Sequence, residues 1–302
     1  MRDIHYDSPQ ALARLLDEHK LTVKKRFGQN FLINHDARRR LVELLGIKGG
    51  ERVWEIGPGV GALTRPLLEK DISLSVFEID RGFVRLLRQV FADQEELTIV
   101  EGDFMRTWQG EIKRGGAPDL IIGNLPYSSA AAIFLALIQG KVQARKIVCT
   151  VQKEGAQRMT AAPGTSDYGS FSVLCSLIWE IRSMGDLKPG SFFPPPRVQS
   201  TMIELTPRGQ YPRVPVEYLL TVTRSLFANR RKTIRNNLRM LAKNRDVDPD
   251  TLFGAALKAA VDVEARPETL SPGRVETLLW EMYECLPLLV DGEKVKGTRS
   301  LN

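Results

Sequence analysis

The stretch EIGPGVGALT, Glu55 to Thr64, decides the fold because three glycines join a strand-like run to a helix-like run. Gly57, Gly59 and Gly61 allow the backbone to turn tightly and to approach a ligand closely, and the helix that follows offers its N-terminal N–H groups. The spacing of Gly57, Gly59 and Ala62 also fits the dinucleotide-binding fingerprint. The stretch alone leaves open an NAD enzyme, an enzyme with another nucleotide-like cofactor, and a merely tight turn.

Working outward, short apolar or β-branched runs alternate with helical patterns over residues 51–205. This alternation predicts an α/β fold with a doubly wound, Rossmann-like sheet. The strand-like runs are RVWEIG (52–57), LSVFEID (74–80), LTIVEGD (97–103), DLIIGN (119–124), KIVCTVQ (146–152), LCSLIWEI (174–181) and STMIEL (200–205).

A change of composition at TPRGQYPRVP, Thr206 to Pro215, predicts a linker rich in Pro, Gly and charge. The stretches beyond it, VEYLLTVTRSLF and RRKTIRNNLRMLAKN, have helical spacing. We therefore expect a catalytic domain over residues 1–209, which begins with a motif-free extension at 1–22, and a smaller helical domain over residues 210–302.

The formal net charge of +7 favours a polyanionic partner, although 43 basic residues face 36 acidic ones, so local clustering must decide. No apolar run approaches the roughly 18 residues that a membrane span needs. Acidic residues near the N-terminus argue against a secretory or transit peptide, and we expect a cytoplasmic protein; they are Asp3, Asp7, Asp17 and Glu18.

The cysteines and histidines predict no metal site. Cys149, Cys175 and Cys285 lie far apart, and two of them sit in apolar runs, which favours buried thiols over a disulfide or metal ligands. The chain has only 3 histidines, and their spacing is not that of metal ligands. We therefore expect neither zinc nor a histidine general base.

Acidic residues end the second and third strand-like runs. Glu78 follows Gly57 by 21 residues, the position at which such folds place a carboxylate that accepts from ribose hydroxyls. Asp103 could accept from the exocyclic amine of a cofactor adenine, as in many S-adenosylmethionine enzymes, or could simply cap a helix. Both cofactor interpretations survive at this point.

The stretch GNLPY, Gly123 to Tyr127, ends the fourth run on the same edge of the predicted sheet. An adenine amino nitrogen is a poor nucleophile because its lone pair is delocalised into the ring. Acceptors on the Asn124 side chain and on the Leu125 or Pro126 carbonyl could hold its protons and direct the lone pair to a methyl donor. Tyr127 would offer a flat face to an unstacked base. The alternative is a Pro-containing turn with a half-buried Tyr.

Taken together, the motifs resemble those of the ribosomal RNA adenine dimethyltransferase family. They occur in the family's order over residues 24–279: KKRFGQNFL, EIGPGVGALT, FEID, EGDF, GNLPY, VQKEGAQRM, FFPPPRVQSTMIEL, RRKTIRNNL and RPETLSP. The resemblance implies an S-adenosylmethionine-dependent enzyme that dimethylates two adjacent adenosines of small-subunit ribosomal RNA. It also implies that residues 1–209 bind the cofactor and that residues 210–302 bind the RNA.

The resemblance further implies roles for individual residues. Phe192 would stack the target adenine opposite Tyr127, and Asn124, Leu125 and Pro126 would complete the catalytic set. The implied cofactor site consists of Asn30, Leu32, Gly57, Gly59, Glu78, Asp103 and Asn124. The chain departs from the family pattern at Ser128 and Ser129, which we expect to cap the helix that begins at Ala130.

An RNA surface is predicted from basic clustering. Between Arg224 and Arg245 the chain has 8 basic residues and no acidic one, and Ile234, Leu238 and Leu241 define a separate apolar face. A solvated basic face is the alternative for any single residue, but the whole run favours phosphate contacts. The predicted contacts are Lys24, Lys25, Arg26, Arg230, Arg231, Lys232, Arg235 and Arg239.

Three other functions stay open from the sequence. A large-subunit adenine methyltransferase of the macrolide-resistance type would share the catalytic half, but RRKTIRNNL and RPETLSP favour the small subunit. A ribosome-assembly factor would use binding more than chemistry, and an NAD enzyme would have no use for NLPY. We expect a monomer that acts on small-subunit RNA in a pre-ribosomal 30S particle, away from membranes.

Overall fold

The protein is described by a computed structural model over residues 4–24 and 28–289 of its 302 residues. Two compact units are present. The first comprises residues up to 160 together with 178–210, and the second comprises 161–177 together with the residues from 211 onward. The sequence predicted one division near residue 210, whereas the structure also groups residues 161–177 with the second unit.

The first unit is built on a seven-stranded sheet of order β4-β3-β2-β5-β6-β9-β7. Strands β2 to β6 pair in parallel, and β9 is antiparallel to both β6 and β7. This confirms the predicted α/β class. The strands are β2 Glu51–Ile56, β3 Ile72–Glu78, β4 Leu97–Glu101, β5 Leu120–Asn124, β6 Lys146–Gln152, β7 Trp179–Leu187 and β9 Ser200–Pro207.

A separate two-stranded sheet pairs β1, Phe31–Leu32, with β8, Phe192–Phe193. Helices connect the strands and begin at polar side chains: Asn34, Asp80 and Asp103 each accept a backbone N–H in the first turn of the helix that follows. The helices of the first unit are α1 Pro9–Glu18, α2 His35–Leu45, α3 Thr64–Leu68, α4 Arg81–Val90, α5 Phe104–Gly115, α6 Ala130–Gln139 and α7 Lys153–Thr160.

The sequence predicts a strand for the run LCSLIWEI, and this prediction is wrong over the first half of the run. Residues Ser170–Ile178 form helix α8, and only then does β7 begin at Trp179. Val173, Leu174 and Cys175 are consecutive and all buried, so this helix segment is apolar over most of its circumference. Such a segment shows no amphipathic period, which is why it resembles a buried strand.

The second unit is helical, as expected. It contains the two helices that the sequence predicts, α9 Val216–Leu226 and α10 Ile234–Arg245, and two further helices, α11 Pro249–Lys258 and α12 Pro272–Cys285. Ile234, Leu238 and Leu241 are buried, as their spacing predicts. Within the same unit, the Tyr168 hydroxyl donates to the Leu270 carbonyl at 2.7 Å.

The N-terminal extension packs into the core of the first unit, although it carries no motif. Leu12 and Leu16 of α1 are buried there with Leu41 of α2. The Tyr6 hydroxyl donates to the Val60 carbonyl, in the glycine turn, at 3.2 Å. No helix in the described part of the chain combines the length and the apolar character that a membrane span requires.

Candidate active site

The carboxyl ends of the parallel strands β2 to β5 meet at one edge of the sheet, where a cavity of about 370 Å³ opens. It is lined by the strand-end residues Gly57, Glu78, Asp103 and Asn124. A larger cavity of about 810 Å³ is lined chiefly by residues of α2 and α3 and of the turns beside them. We place the candidate site in the smaller cavity because it collects the polar strand-end side chains.

The glycine turn is shaped for close approach. Gly57 and Gly59 have φ angles of +73° and +55°, which side chains rarely allow. A Cβ added at Gly59 would lie 2.8 Å from Cε1 of Phe31. Phe31 in turn packs edge-on against Phe83. The turn is therefore packed against an aromatic ring at Gly59, and its two glycines place backbone without side chains in the lining of the cavity.

Glu78 is the most constrained carboxylate of the cavity, being only 4 % exposed. Its Oε2 accepts from the Gly59 N–H at 3.0 Å, and its Oε1 accepts from the Asp80 N–H at 2.8 Å. Burial raises the pKa of Glu78 to about 7, against the lowering effect of these bonds. The carboxylate therefore titrates close to neutral pH.

The sequence left two roles open for Asp103, a helix cap and an acceptor for a cofactor amine, and its position allows both. It caps α5 by accepting the Met105 N–H at 3.0 Å, and it also lines the cavity.

A further buried acid, Glu55, was not singled out from the sequence. Glu55 is buried in β2, accepts from the Thr64 hydroxyl at 2.7 Å, and has its pKa raised by burial to about 8.

The Asn124 amide is held from two sides. Its Nδ2 donates to the Asn30 carbonyl at 2.5 Å, and its Oδ1 accepts from the Thr150 hydroxyl at 2.5 Å. An amide oxygen has a second lone pair, so Oδ1 keeps the capacity to accept one more proton donor. Thr150, which is fully buried and pairs with Asn124 on the neighbouring strand, was not singled out from the sequence.

The carbonyl of Pro126 accepts the N–H groups of Ser129 and Ala130, both at 3.0 Å. Of the two carbonyls considered from the sequence, that of Leu125 is therefore favoured as an acceptor for a ligand. The same bonds begin α6, and the N-cap residue Ser129 makes no side-chain capping bond. Ser129 thus occupies the N-cap position, as expected from the sequence, but the capping bond expected from its side chain is not formed.

Tyr127 is half-buried, and its hydroxyl is hydrogen-bonded to Ser200 at 2.5 Å. Leu32 and Phe192, by contrast, face each other in the β1–β8 pair and are each only 2 % exposed. The Phe192 ring therefore lies in the hydrophobic core and offers no open face for stacking, while the neighbouring Phe193 is partly exposed.

Lys24 is engaged within the protein. Its ammonium group pairs at 2.9 Å with Asp80, which is buried. The predicted phosphate contact at Lys24 would have to break this pair. Lys25 and Arg26, the other two basic residues predicted there, lie outside the described residues.

The basic residues of the second unit are of two kinds. Arg231, Lys232 and Arg239 are exposed. Arg230 donates to the Ser166 carbonyl at 2.6 Å, and Arg235 pairs with Glu264. Two of the predicted phosphate contacts, Arg230 and Arg235, are therefore already bonded within their own unit.

Among residues 4–24 and 28–289, the structure brings together no group of three or more His, Cys, Asp and Glu side chains that could hold a metal ion. The candidate site is thus a cavity of backbone turns, two carboxylates, one fixed amide and apolar walls. The walls come from Ile56, Phe77, Ile79, Phe104, Met105 and Ile133.

Comparison with known proteins places this site in a family. The family model described as ribosomal RNA adenine dimethylase matches residues 20–270. Ribosomal RNA small subunit methyltransferase A of Treponema pallidum is 40% identical over 275 residues, which are 88% of this chain and 93% of that protein. The protein of the same name from Treponema denticola is 38% identical over 237 residues, or 78% of this chain and 81% of that protein.

Among solved structures, a dimethyladenosine transferase from Plasmodium falciparum has a TM-score of 0.71 at 22% identity. The similarity covers 83% of this chain and 97% of that chain, and it shows that the two proteins share a fold. The sequence match extends over both units and includes the strand ends that line the cavity. The chain therefore belongs to the ribosomal RNA adenine dimethylase family.

Proposed function

We propose that this protein transfers methyl groups from S-adenosylmethionine to N6 of two adjacent adenosines in small-subunit (16S) ribosomal RNA. The observation that carries the proposal is the Asn124 amide, which is fixed by Asn30 and Thr150 in the cavity that also holds Glu78 and Asp103. A fixed amide acceptor beside a nucleoside-sized cavity is what methylation of an exocyclic amine requires.

The residues present fit the cofactor. The cavity volume of about 370 Å³ lies within the usual range for small-molecule sites, and its lining is mainly apolar with a few convergent polar groups. Glu78 would accept from the ribose hydroxyls, Asp103 from the adenine amine, and the turn at Gly57 and Gly59 would allow close approach of the backbone. When bound, S-adenosylmethionine supplies an electrophilic methyl group.

The chain's own contribution to catalysis is orientation. Asn124 Oδ1 and the Leu125 carbonyl would accept the two amino protons of adenine, so that the nitrogen lone pair points away from the ring plane. The nitrogen loses one proton for each methyl it gains. We assign that proton to solvent, because an amide oxygen and a peptide carbonyl are too weakly basic to retain it.

The target base would be held by stacking. The Tyr127 ring, fixed by its bond to Ser200, supplies one face. Phe192 stays the family-based candidate for the other face, and its burial means that β8 would have to shift for the ring to become accessible. Phe193 is the partly exposed alternative at the same place in the chain.

The second unit would bind the RNA, with Arg231, Lys232 and Arg239 as the exposed phosphate contacts. We further propose that the substrate is a pre-ribosomal 30S particle, that the protein acts as a monomer, and that it works in the cytoplasm. The macrolide-resistance alternative is not favoured, since the relatives at 38–40% identity are named for the small subunit. An assembly role with dispensable chemistry is distinguished by experiment.

The test is mass spectrometry of ribosomal RNA from cells with the gene, without it, and with the Asn124→Ala variant. Loss of dimethyladenosine from small-subunit RNA in the last two strains is expected, together with its restoration by the intact gene. A change confined to large-subunit RNA would contradict the proposal. If Asn124→Ala restores normal subunit maturation without methylation, the assembly role gains and the enzyme role becomes secondary.

A further inference from the structure

A short segment that covers the cavity is held from an unexpected direction. Residues 28–31, here called the cover segment, all line the cavity. A Cβ at Gly28 would lie 3.5 Å from Cβ of Pro126, and the Asn30 carbonyl accepts from Asn124. The segment therefore touches the NLPY turn on one side, and through Phe31 it touches the glycine turn on the other.

Asp80 binds this segment through its carboxylate. Its Oδ2 pairs with the Lys24 ammonium group at 2.9 Å and accepts from Gln29 Nε2 at 3.4 Å. The Lys24 N–H closes the ring by donating to Gln29 Oε1 at 2.7 Å. Asp80 is only 3 % exposed, whereas the Lys24 side chain is 41 % exposed, so the pair joins a desolvated carboxylate to an ammonium group that is partly in water. A charged hydrogen bond to such a carboxylate is stronger than a neutral one.

The backbone N–H and the Oδ1 atom of Asp80 have other partners. Its N–H donates to Glu78 Oε1 at 2.8 Å, and its Oδ1 caps α4 by accepting the Gly82 N–H at 2.8 Å. Burial tends to raise the pKa of Asp80, but the bonds from Lys24, Gly82 and Gln29 together hold it below its usual value. The carboxylate is thus ionised at neutral pH and balances the lysine charge.

A helix cap alone does not explain this arrangement. Capping α4 requires one acceptor oxygen, which Asn or Ser supplies as well as Asp. The other oxygen, Oδ2, exceeds that requirement, because it carries charge in a buried place and binds both Lys24, before the cover segment, and Gln29, within it. Asp80 also links Glu78 with the cover segment, since it bonds to Glu78 and to Gln29, and both of these residues line the cavity.

We propose that Asp80 is a positioning residue that holds the cover segment in place over the cofactor cavity through Lys24 and Gln29. The identity of the ligand rests on the proposed function, whereas the attachment of the segment does not. The inference assigns Lys24 to the cofactor side of the protein instead of to RNA phosphate.

The test uses Asp80→Asn, because asparagine keeps an acceptor for the Gly82 N–H but replaces the charged Oδ2 with an NH₂ group, which cannot accept from Lys24 or Gln29. Amide hydrogen exchange of the full-length protein without ligand is measured over residues 28–34 and over α4. Exchange in 28–34 is expected to become about tenfold faster, in line with the loss of one buried charged bond, while α4 changes little. Lys24→Ala should give the same pattern, and Arg14→Ala, which removes an exposed charge from α1, is the matched control.

Binding of S-adenosylhomocysteine, measured by calorimetry, supplies the second readout. Asp80→Asn and Lys24→Ala should each weaken it by about tenfold, and the double variant should be no weaker than Asp80→Asn alone, since the interaction that Lys24→Ala removes is already lost there. Unchanged exchange in 28–34, a change confined to the first turn of α4, or fully additive losses would each overturn the inference. Faster exchange in 28–34 in a protein that methylates no RNA would sustain the inference while refuting the proposed function.

Discussion

The pH at which the cofactor binds is expected to depend on Glu78. Its carboxylate has a pKa raised to about 7 by burial, so near neutrality it exists in both forms. The ionised form can accept from two ribose hydroxyls in addition to the N–H groups of Gly59 and Asp80. The protonated form has lost part of that capacity. Affinity should therefore fall as the pH falls through 7.

The size of the effect follows from the ionised fraction. With a pKa of about 7, roughly one molecule in eleven is ionised at pH 6 and roughly ten in eleven at pH 8. If only the ionised form binds well, the dissociation constant rises about tenfold between pH 8 and pH 6, equivalent to about 1.4 kcal/mol. Glu78→Gln should remove this dependence and weaken binding at pH 8 by about 1–3 kcal/mol, because an NH₂ group then faces a backbone donor.

The assay is calorimetry with S-adenosylhomocysteine at pH 6, 7 and 8 in two buffers of different ionisation enthalpy. On binding at pH 6, the wild-type protein should release close to one proton. Glu78→Gln should release about one proton fewer, because any proton exchange by the ligand itself is the same for both proteins. Glu55→Gln serves as the control for the neighbouring buried acid. The reasoning is refuted if wild-type affinity is constant from pH 6 to 8, or if Glu78→Gln keeps the wild-type slope.

Three further outcomes are expected. Asn124→Ala should abolish methyl transfer, with a much smaller loss of cofactor affinity by calorimetry because Asn124 also binds the Asn30 carbonyl; turnover within tenfold of wild type would contradict the alignment role. Tyr127→Ala should weaken binding of the target RNA by roughly 1–3 kcal/mol in a filter-binding assay, and Tyr127→Phe by much less, since the ring face matters more than the bond to Ser200. Arg231→Glu with Lys232→Glu should weaken binding to the small subunit and flatten its salt dependence, leaving cofactor binding unchanged; an unchanged salt slope would exclude this surface.

The positions of the site residues along the chain could be predicted because parallel strands place their carboxyl ends at one edge. Gly57, Glu78, Asp103 and Asn124 each follow a recognisable strand-like run, and all four line one cavity. The helical spacing of apolar residues likewise predicts the buried face of α10, which begins at Ile234. These features depend on neighbours within a few residues and on the period of the pattern.

Other features depend on contacts between distant parts of the chain, which the pattern does not encode. The pair formed by β1 and β8 buries Phe192, although the family resemblance implies an accessible aromatic ring. Lys24 and Arg235 appear in sequence as free charges, yet each meets a carboxylate, Asp80 and Glu264, that is remote in sequence. Basic residues can be counted from sequence, but their availability to RNA requires the fold.

The grouping of residues 161–177 with the second unit has a consequence for recombining relatives. Tyr168, whose ring packs against Phe227 and whose hydroxyl binds the Leu270 carbonyl, finds its partners in a segment more than fifty positions away. A hybrid that joins two relatives at residue 210 would thus take residues 161–177 from one relative and their packing partners from the other. Exchange of RNA specificity between family members should succeed only when 161–177 and the chain from 211 onward are transferred together.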